Sequence, residues 1–137
     1  VLGEGLLVVE SDIDNSKQGL ILIVEDGADN LALIIEILEL MGFPLITAEN
    51  GKTAIAMARQ HQPDLILLDL MLPDMDGVEV ACHLKQDERT MEIPIIAVTA
   101  LDDEENRQRC IAEGCVDFVA KPIDIQLLET AIKRYLS

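Results

Sequence analysis

Five short apolar runs alternating with stretches of helical length constrain this chain more than any other feature. The runs, broken only by Thr47 and Asp117, are Leu20 to Val24, Leu45 to Ala48, Leu65 to Leu68, Ile95 to Val98 and Val116 to Ala120. Four or five apolar residues bounded by turn signals read as a buried strand. Between and after them the pattern predicts helices over Asn30 to Met41, Gly51 to about Gln60, Val78 to Gln86, Asp102 to about Glu113, and Asp124 to Tyr135. Gly42 and Gly114 supply C-terminal stops, and Pro63 blocks continuation of the second helix. Parallel strands require crossover connections, so this alternation predicts an α/β fold: a doubly wound, five-stranded parallel sheet with helices on both faces.

Four of the runs stop at residues with distinct chemistry. The first ends in Glu25-Asp26, the third in Asp69, the fourth in Thr99-Ala100 and the fifth in Lys121-Pro122. In open parallel sheets ligands bind at the C-terminal edge of the strands, where all of these fall. Each has an ordinary alternative. A strand-ending Asp serves as a turn residue or helix cap, Thr99 could cap the helix after it, and a strand-ending Lys is commonly solvated. Independent caps would not produce the four spacings together.

This set, with Leu70-Met71-Leu72-Pro73-Asp74-Met75-Asp76-Gly77 after Asp69, resembles the receiver domain of two-component response regulators over Gly19 to Leu136. The resemblance implies the flavodoxin-like strand order 2-1-3-4-5, which periodicity alone does not yield. Glu25, Asp26 and Asp69 would then meet at the switch point between the first and third strands. Carboxylates so placed repel one another unless a cation sits among them, and oxygen ligands favour Mg²⁺, with Mn²⁺ as a substitute, over Zn²⁺.

By the same resemblance the ion is held by Asp26, Asp69 and the Met71 backbone carbonyl, with Glu25 reaching it through water. Asp69 is the phosphoacceptor, taking a phosphoryl group from a histidine kinase or a histidine phosphotransfer protein. Lys121 neutralises the phosphoryl oxygens, Thr99 offers a hydroxyl, and Ala100 leaves room. The implied activity is that of a signalling switch rather than an enzyme, with weak self-phosphorylation and autodephosphorylation. Thr99 and Phe118 correspond to the pair that moves on phosphorylation, reshaping a surface read by a downstream protein, an effector domain or a second copy of the chain. Met71 and Leu101 lie where the family's side chains orient the hydrolytic water, and their apolar character implies a long-lived acyl phosphate.

The helix from Asn30 is too apolar for one stripe. The family resemblance implies that this helix docks on the kinase, with Leu31, Leu33 and Ile35, beside Pro122 and Ile123, as the expected docking surface; burial under the N-terminal tail is the alternative. Residues 1–19, rich in Gly and polar residues, read as a tail or linker before a receiver domain over residues 20–137. The opening Val points to a segment of a longer protein, and a stand-alone receiver, a piece of a hybrid histidine kinase and a piece of a multidomain regulator all stay open.

A formal charge of −16 with ten scattered basic residues argues against direct nucleic-acid binding. No apolar stretch approaches a membrane span and no signal peptide opens the chain, so a cytoplasmic location is expected. Cys82, Cys110 and Cys115 lack metal or redox spacing and are expected as unpaired, buried thiols. His61 and His83 have no partner motif. A haloacid-dehalogenase-like phosphatase is disfavoured because Met71 stands where that family needs a second Asp. A phosphorylation-independent pseudo-receiver would lack one of the key residues, and all are present.

Overall fold

A computed structural model describes residues 19–100 and 102–136. Five parallel strands form one sheet: β1 (Ile21–Val24), β2 (Leu45–Ala48), β3 (Leu65–Asp69), β4 (Ile95–Ala100) and β5 (Asp117–Lys121), in the order β2-β1-β3-β4-β5. They alternate with α1 (Ala28–Met41), α2 (Gly51–His61), α3 (Gly77–Lys85), α4 (Glu104–Ala112) and α5 (Ile125–Leu136). The expected order 2-1-3-4-5 is the observed one. Leu101 and residues 1–18, on which the lifetime and tail expectations rest, lie outside the described residues.

Successive side chains of a strand point to opposite faces, and the core divides accordingly. Leu22, Val24, Ile66, Leu68, Ile95 and Ala97 face α2, α3 and Cys110 of α4. Ile21, Ile23, Leu65, Leu67, Ile96 and Val119 face α1, through Ile34, Ile37 and Leu38, and α5, through Leu128, Ala131 and Ile132. β1 and the Leu65 to Leu68 stretch of β3, in the interior of the sheet, are therefore wholly apolar, as a parallel sheet covered on both sides requires.

Element boundaries shift where capping chemistry decides them. α1 begins at Ala28, two residues before the expected Asn30, and closes at Gly42, whose φ of 85° lets its N–H reach the Glu39 and Leu38 carbonyls. α3 begins at Gly77 because Asp76 and Glu79 form a capping box. α4 begins at Glu104, with Asp103 as its cap, so Asp102 stays in the preceding turn. β3, β4 and β5 run on to Asp69, Ala100 and Lys121, so these candidate site residues belong to the strands themselves.

The cysteines correct the expectation of unpaired thiols. Cys110 and Cys115 form a disulfide with their Cα atoms 5.4 Å apart, while Cys82 is free. Gly114, at φ 102°, reverses the chain after α4, and the Cys115 N–H then donates to the Cys110 carbonyl. That local reversal brings together two residues whose spacing matches no redox or metal motif. Among the described residues no helix is long and apolar enough to cross a membrane.

Candidate functional site

Adjacent parallel strands in register deliver their terminal residues to one place. Val24 lies beside Leu68, so Glu25 and Asp26 emerge next to Asp69. Asp69 lies beside Val98, and Thr99 and Ala100 lie beside Ala120 and Lys121. Glu25, Asp26 and Asp69 each offer an oxygen within 4.8 Å of the others. Among the described residues this is the one group of acids, histidines or cysteines close enough to hold a metal ion.

Glu25 and Asp69 are only 2% exposed, whereas Asp26 faces solvent. The Lys121 Nζ donates to Asp69 Oδ2 at 3.1 Å and lies 3.4 Å from Glu25 Oε1, so one ammonium serves two buried carboxylates. Backbone donors fix the remaining oxygens. The Met71 N–H donates to Asp69 Oδ1 at 3.0 Å, and the Gly27 N–H to Glu25 Oε2 at 3.0 Å. Lys121 precedes Pro122 across a cis peptide bond.

Three acids against one ammonium leave an excess of negative charge, and Glu25 registers it. Burial, then the charge of Asp69, pushes its carboxyl above the ordinary 4.5, against the opposing pull of the Gly27 N–H and Lys121. Burial works against the Lys121 ammonium too, but Asp69 and Glu25 outweigh it and hold its pKa above 10.5. Two buried polar atoms here lack a hydrogen-bond partner: Glu25 Oε1 and the Thr99 hydroxyl, on a residue only 1% exposed. Buried polar atoms without partners are uncommon. Carboxylate oxygens with unused lone pairs suit a hard divalent cation, so the residues present fit Mg²⁺ on this donor chemistry.

The loop from Leu70 to Asp76 is tied down by contacts the sequence reading missed. Met71 bridges Asp76 across it. Both oxygens of Asp74 accept from the α2 N-terminus, from the Gly51 N–H at 2.7 Å and the Lys52 N–H at 3.0 Å, which holds its carboxyl below the ordinary 3.8. Arg109 of α4 donates to Asp76 Oδ2 at 2.8 Å. Gly77 lies so close to Leu70 that a β-carbon would fall 2.5 Å from the Leu70 Cα and 2.7 Å from the Asp69 carbonyl oxygen. The Asp76-to-Glu79 spacing was a readable capping signal; the Asp74 and Arg109 contacts span 22 to 33 positions and leave no local trace.

Thr99 and Phe118 share a recess of about 200 Å³, also lined by Ala100, Arg107, Ala120 and Leu127. Phe118 is half-buried, and the Arg107 guanidinium carbon sits 4.7 Å above its ring. Thr99 lies within β4 and caps no helix, so that alternative falls away. On the other face of the sheet, Leu31, Leu33, Ile35 and Ile123 are half-buried against one core cluster and Pro122 is exposed. Leu40, at 81% exposure, is the large apolar residue of α1 that packs least. Met71, whose carbonyl the resemblance assigns to the metal, turns its side chain outward at 67% exposure. His61 and His83 are exposed.

A family model described as the response regulator receiver domain matches residues 21–133. The chain is 40% identical over 116 residues to the polar-differentiation response regulator DivK of Brucella anthropi, covering 85% of this chain and 94% of that protein. Among solved structures, the receiver domain of the sensor histidine kinase PA1611 from Pseudomonas aeruginosa, with a magnesium ion coordinated in its active-site cleft, superposes with a TM-score of 0.80. It is 30% identical, over 86% of this chain and 97% of that one. The chemotaxis protein CheY4 of Vibrio cholerae gives a TM-score of 0.81 at 25% identity, over 87% and 99% of the two chains.

Proposed function

Because this chain belongs to the response regulator receiver domain family of two-component signalling, we propose that it is a switch driven by phosphorylation of Asp69. The observation that carries the reading is a buried carboxylate already held by an ammonium at 3.1 Å, with the unpartnered hydroxyl of Thr99 on the neighbouring strand. An Asp69 oxygen attacks phosphorus, the bond from phosphorus to the donor's imidazole nitrogen breaks, and an acyl phosphate forms as the imidazole leaves. Such transfer depends mainly on positioning and charge neutralisation. Lys121 contributes the fixed positive charge, and Thr99 contributes a donor for the arriving oxygens. Asp26, Asp69 and the Met71 carbonyl would hold Mg²⁺, with Glu25 acting through water and Mn²⁺ as a substitute. When bound, the ion supplies further charge to the phosphoryl group.

The donor is a histidine kinase or a histidine phosphotransfer protein, docking on Leu31, Leu33 and Ile35 of α1 with Pro122 and Ile123. The output is a downstream protein or effector domain, or a phosphorylation-dependent homodimer, that reads the surface around Phe118. A receiver carried within a histidine kinase is the second reading, favoured by the likeness to the PA1611 receiver. Incubation with acetyl phosphate and Mg²⁺ tests the site without a kinase. Intact-mass measurement should find one phosphoryl group on the wild type and none on Asp69→Asn, or on the wild type in excess EDTA. Equal incorporation in all three would overturn the assignment.

A further inference from the structure

The Arg107 side chain is placed in a way that ordinary surface packing does not require. Its guanidinium carbon lies 4.7 Å from the centroid of the Phe118 ring, inside the limit of about 6 Å for a cation–π contact. One terminal nitrogen donates to Glu104 Oε1 at 3.1 Å, one turn back on α4, while the Nε–H is buried with no hydrogen-bond partner. An arginine that turned into solvent would recover that hydrogen bond from water. It stays on the ring, and both walls of the recess beside Thr99 are thereby set. For the Phe118 ring to enter the recess, the guanidinium must part from it.

The turn that carries Arg107 is itself anchored. Asp103 caps α4 and also accepts from the Asn106 side chain at 2.8 Å, and Arg109 ties the same helix to Asp76 at the start of α3. The contact therefore joins β5 to a helix held in place from the loop that follows Asp69. We infer that Arg107 is a positioning residue of the switch, whose stacked guanidinium holds Phe118 outside the recess beside Thr99 until phosphorylation draws the two apart. This rests on the reading that Thr99 and Phe118 move together. Coupling between two states is reciprocal. If phosphorylation weakens the stacking, then removing the stacking favours the phosphorylation-competent state and speeds uptake from a small donor.

The chain has two phenylalanines, Phe43 and Phe118, so ring-¹³C-phenylalanine labelling gives a spectrum in which Phe43 serves as the internal reference. Beryllium fluoride, a phosphoryl mimic, should move the Phe118 resonances of the wild type with Mg²⁺ present. Arg107→Met, which keeps the stem and loses the cation, should shift them part of the way without the mimic and raise the acetyl phosphate uptake rate about fivefold. Arg107→Lys should fall between the two, and Glu104→Gln should leave the ring where it is. If the wild-type ring ignores the mimic while Asp69 still takes up phosphate, the coupled-switch reading fails and the inference with it. A ring that responds in the wild type, with Arg107→Met and Arg107→Lys matching the wild type in both resonance and rate, overturns the inference alone. Should Arg107→Met prove unfolded, the Arg107→Lys resonance and rate decide: a shift toward the mimic-bound position supports the latch, and none overturns it.

Discussion

Gly77 illustrates how a residue outside the chemistry can govern it. Its missing side chain lets the start of α3 lie against the backbone of Asp69 and Leu70, where any β-carbon would collide with main-chain atoms that cannot step aside. Gly77→Ala should lower stability by about 1–3 kcal/mol, the usual cost of overpacking, and should slow phosphoryl uptake because relief of the clash displaces Asp69. Thermal unfolding and timed intact-mass measurements check the two effects separately; a variant that melts and labels like the wild type would show that the loop is not held as described. In the sequence Gly77 reads only as a turn signal, since periodicity carries no information about what lies across a close contact. Asp69, Thr99 and Lys121 were legible for the opposite reason: each ends an apolar run, and such ends are visible one strand at a time. The Glu25 oxygen that has an ion pair but no hydrogen bond, and the placing of Arg107 over Phe118, depend on side-chain directions that no run of residues encodes.

At the scale of elements, an ionic cluster centred on Asp87 ties α2 to the turn that follows α3. Asp87, after α3, accepts from the Arg89 side chain and backbone N–H and from Arg59 of α2 at 2.7 Å, so it clamps two helices. These bonds, those of Arg89 first, hold its carboxyl well below the ordinary 3.8. A depressed folded pKa contributes stability above the unfolded value and loses it as pH falls through the folded value. Asp87→Asn should therefore melt below the wild type at pH 7, with the gap closing only once pH drops under 3.8. Both arginines are partly exposed, so the gap should also narrow in high salt. Melting curves across pH check this, and a gap that is constant from neutral to acid pH would contradict it. Helices and strands were legible because their apolar periods are local. Their ends were less so, because capping by Asp76 and Asp103 competes with periodicity for the last residue, and the Cys110–Cys115 pair was missed because a reversal at Gly114 precedes it.

Over the whole molecule, three of the chain's 26 acids gather in one pocket with a half-buried ammonium beside them. Mg²⁺ should raise the melting temperature, since it relieves repulsion among Glu25, Asp26 and Asp69 and binds only the folded protein. Asp26→Asn should melt higher than the wild type without metal and lose most of the response to it. Identical curves for the two across a Mg²⁺ titration would mean that the pocket is not assembled as described. The strand order was beyond periodicity, which says which segments pair with a sheet and not which neighbours they choose; it entered through the family resemblance. That order also decides what the polypeptide can lose. Asp69 ends the third strand and its ammonium partner ends the fifth, 52 positions on, so a nick anywhere in the connection from α3 to β4 leaves every acid of the pocket on one fragment and Thr99 with Lys121 on the other. On the proposed function neither fragment would hold a working acceptor, and phosphoryl uptake would become a property of their reassociation, as in a lock cut in two whose bolt and keeper meet only when the halves are rejoined.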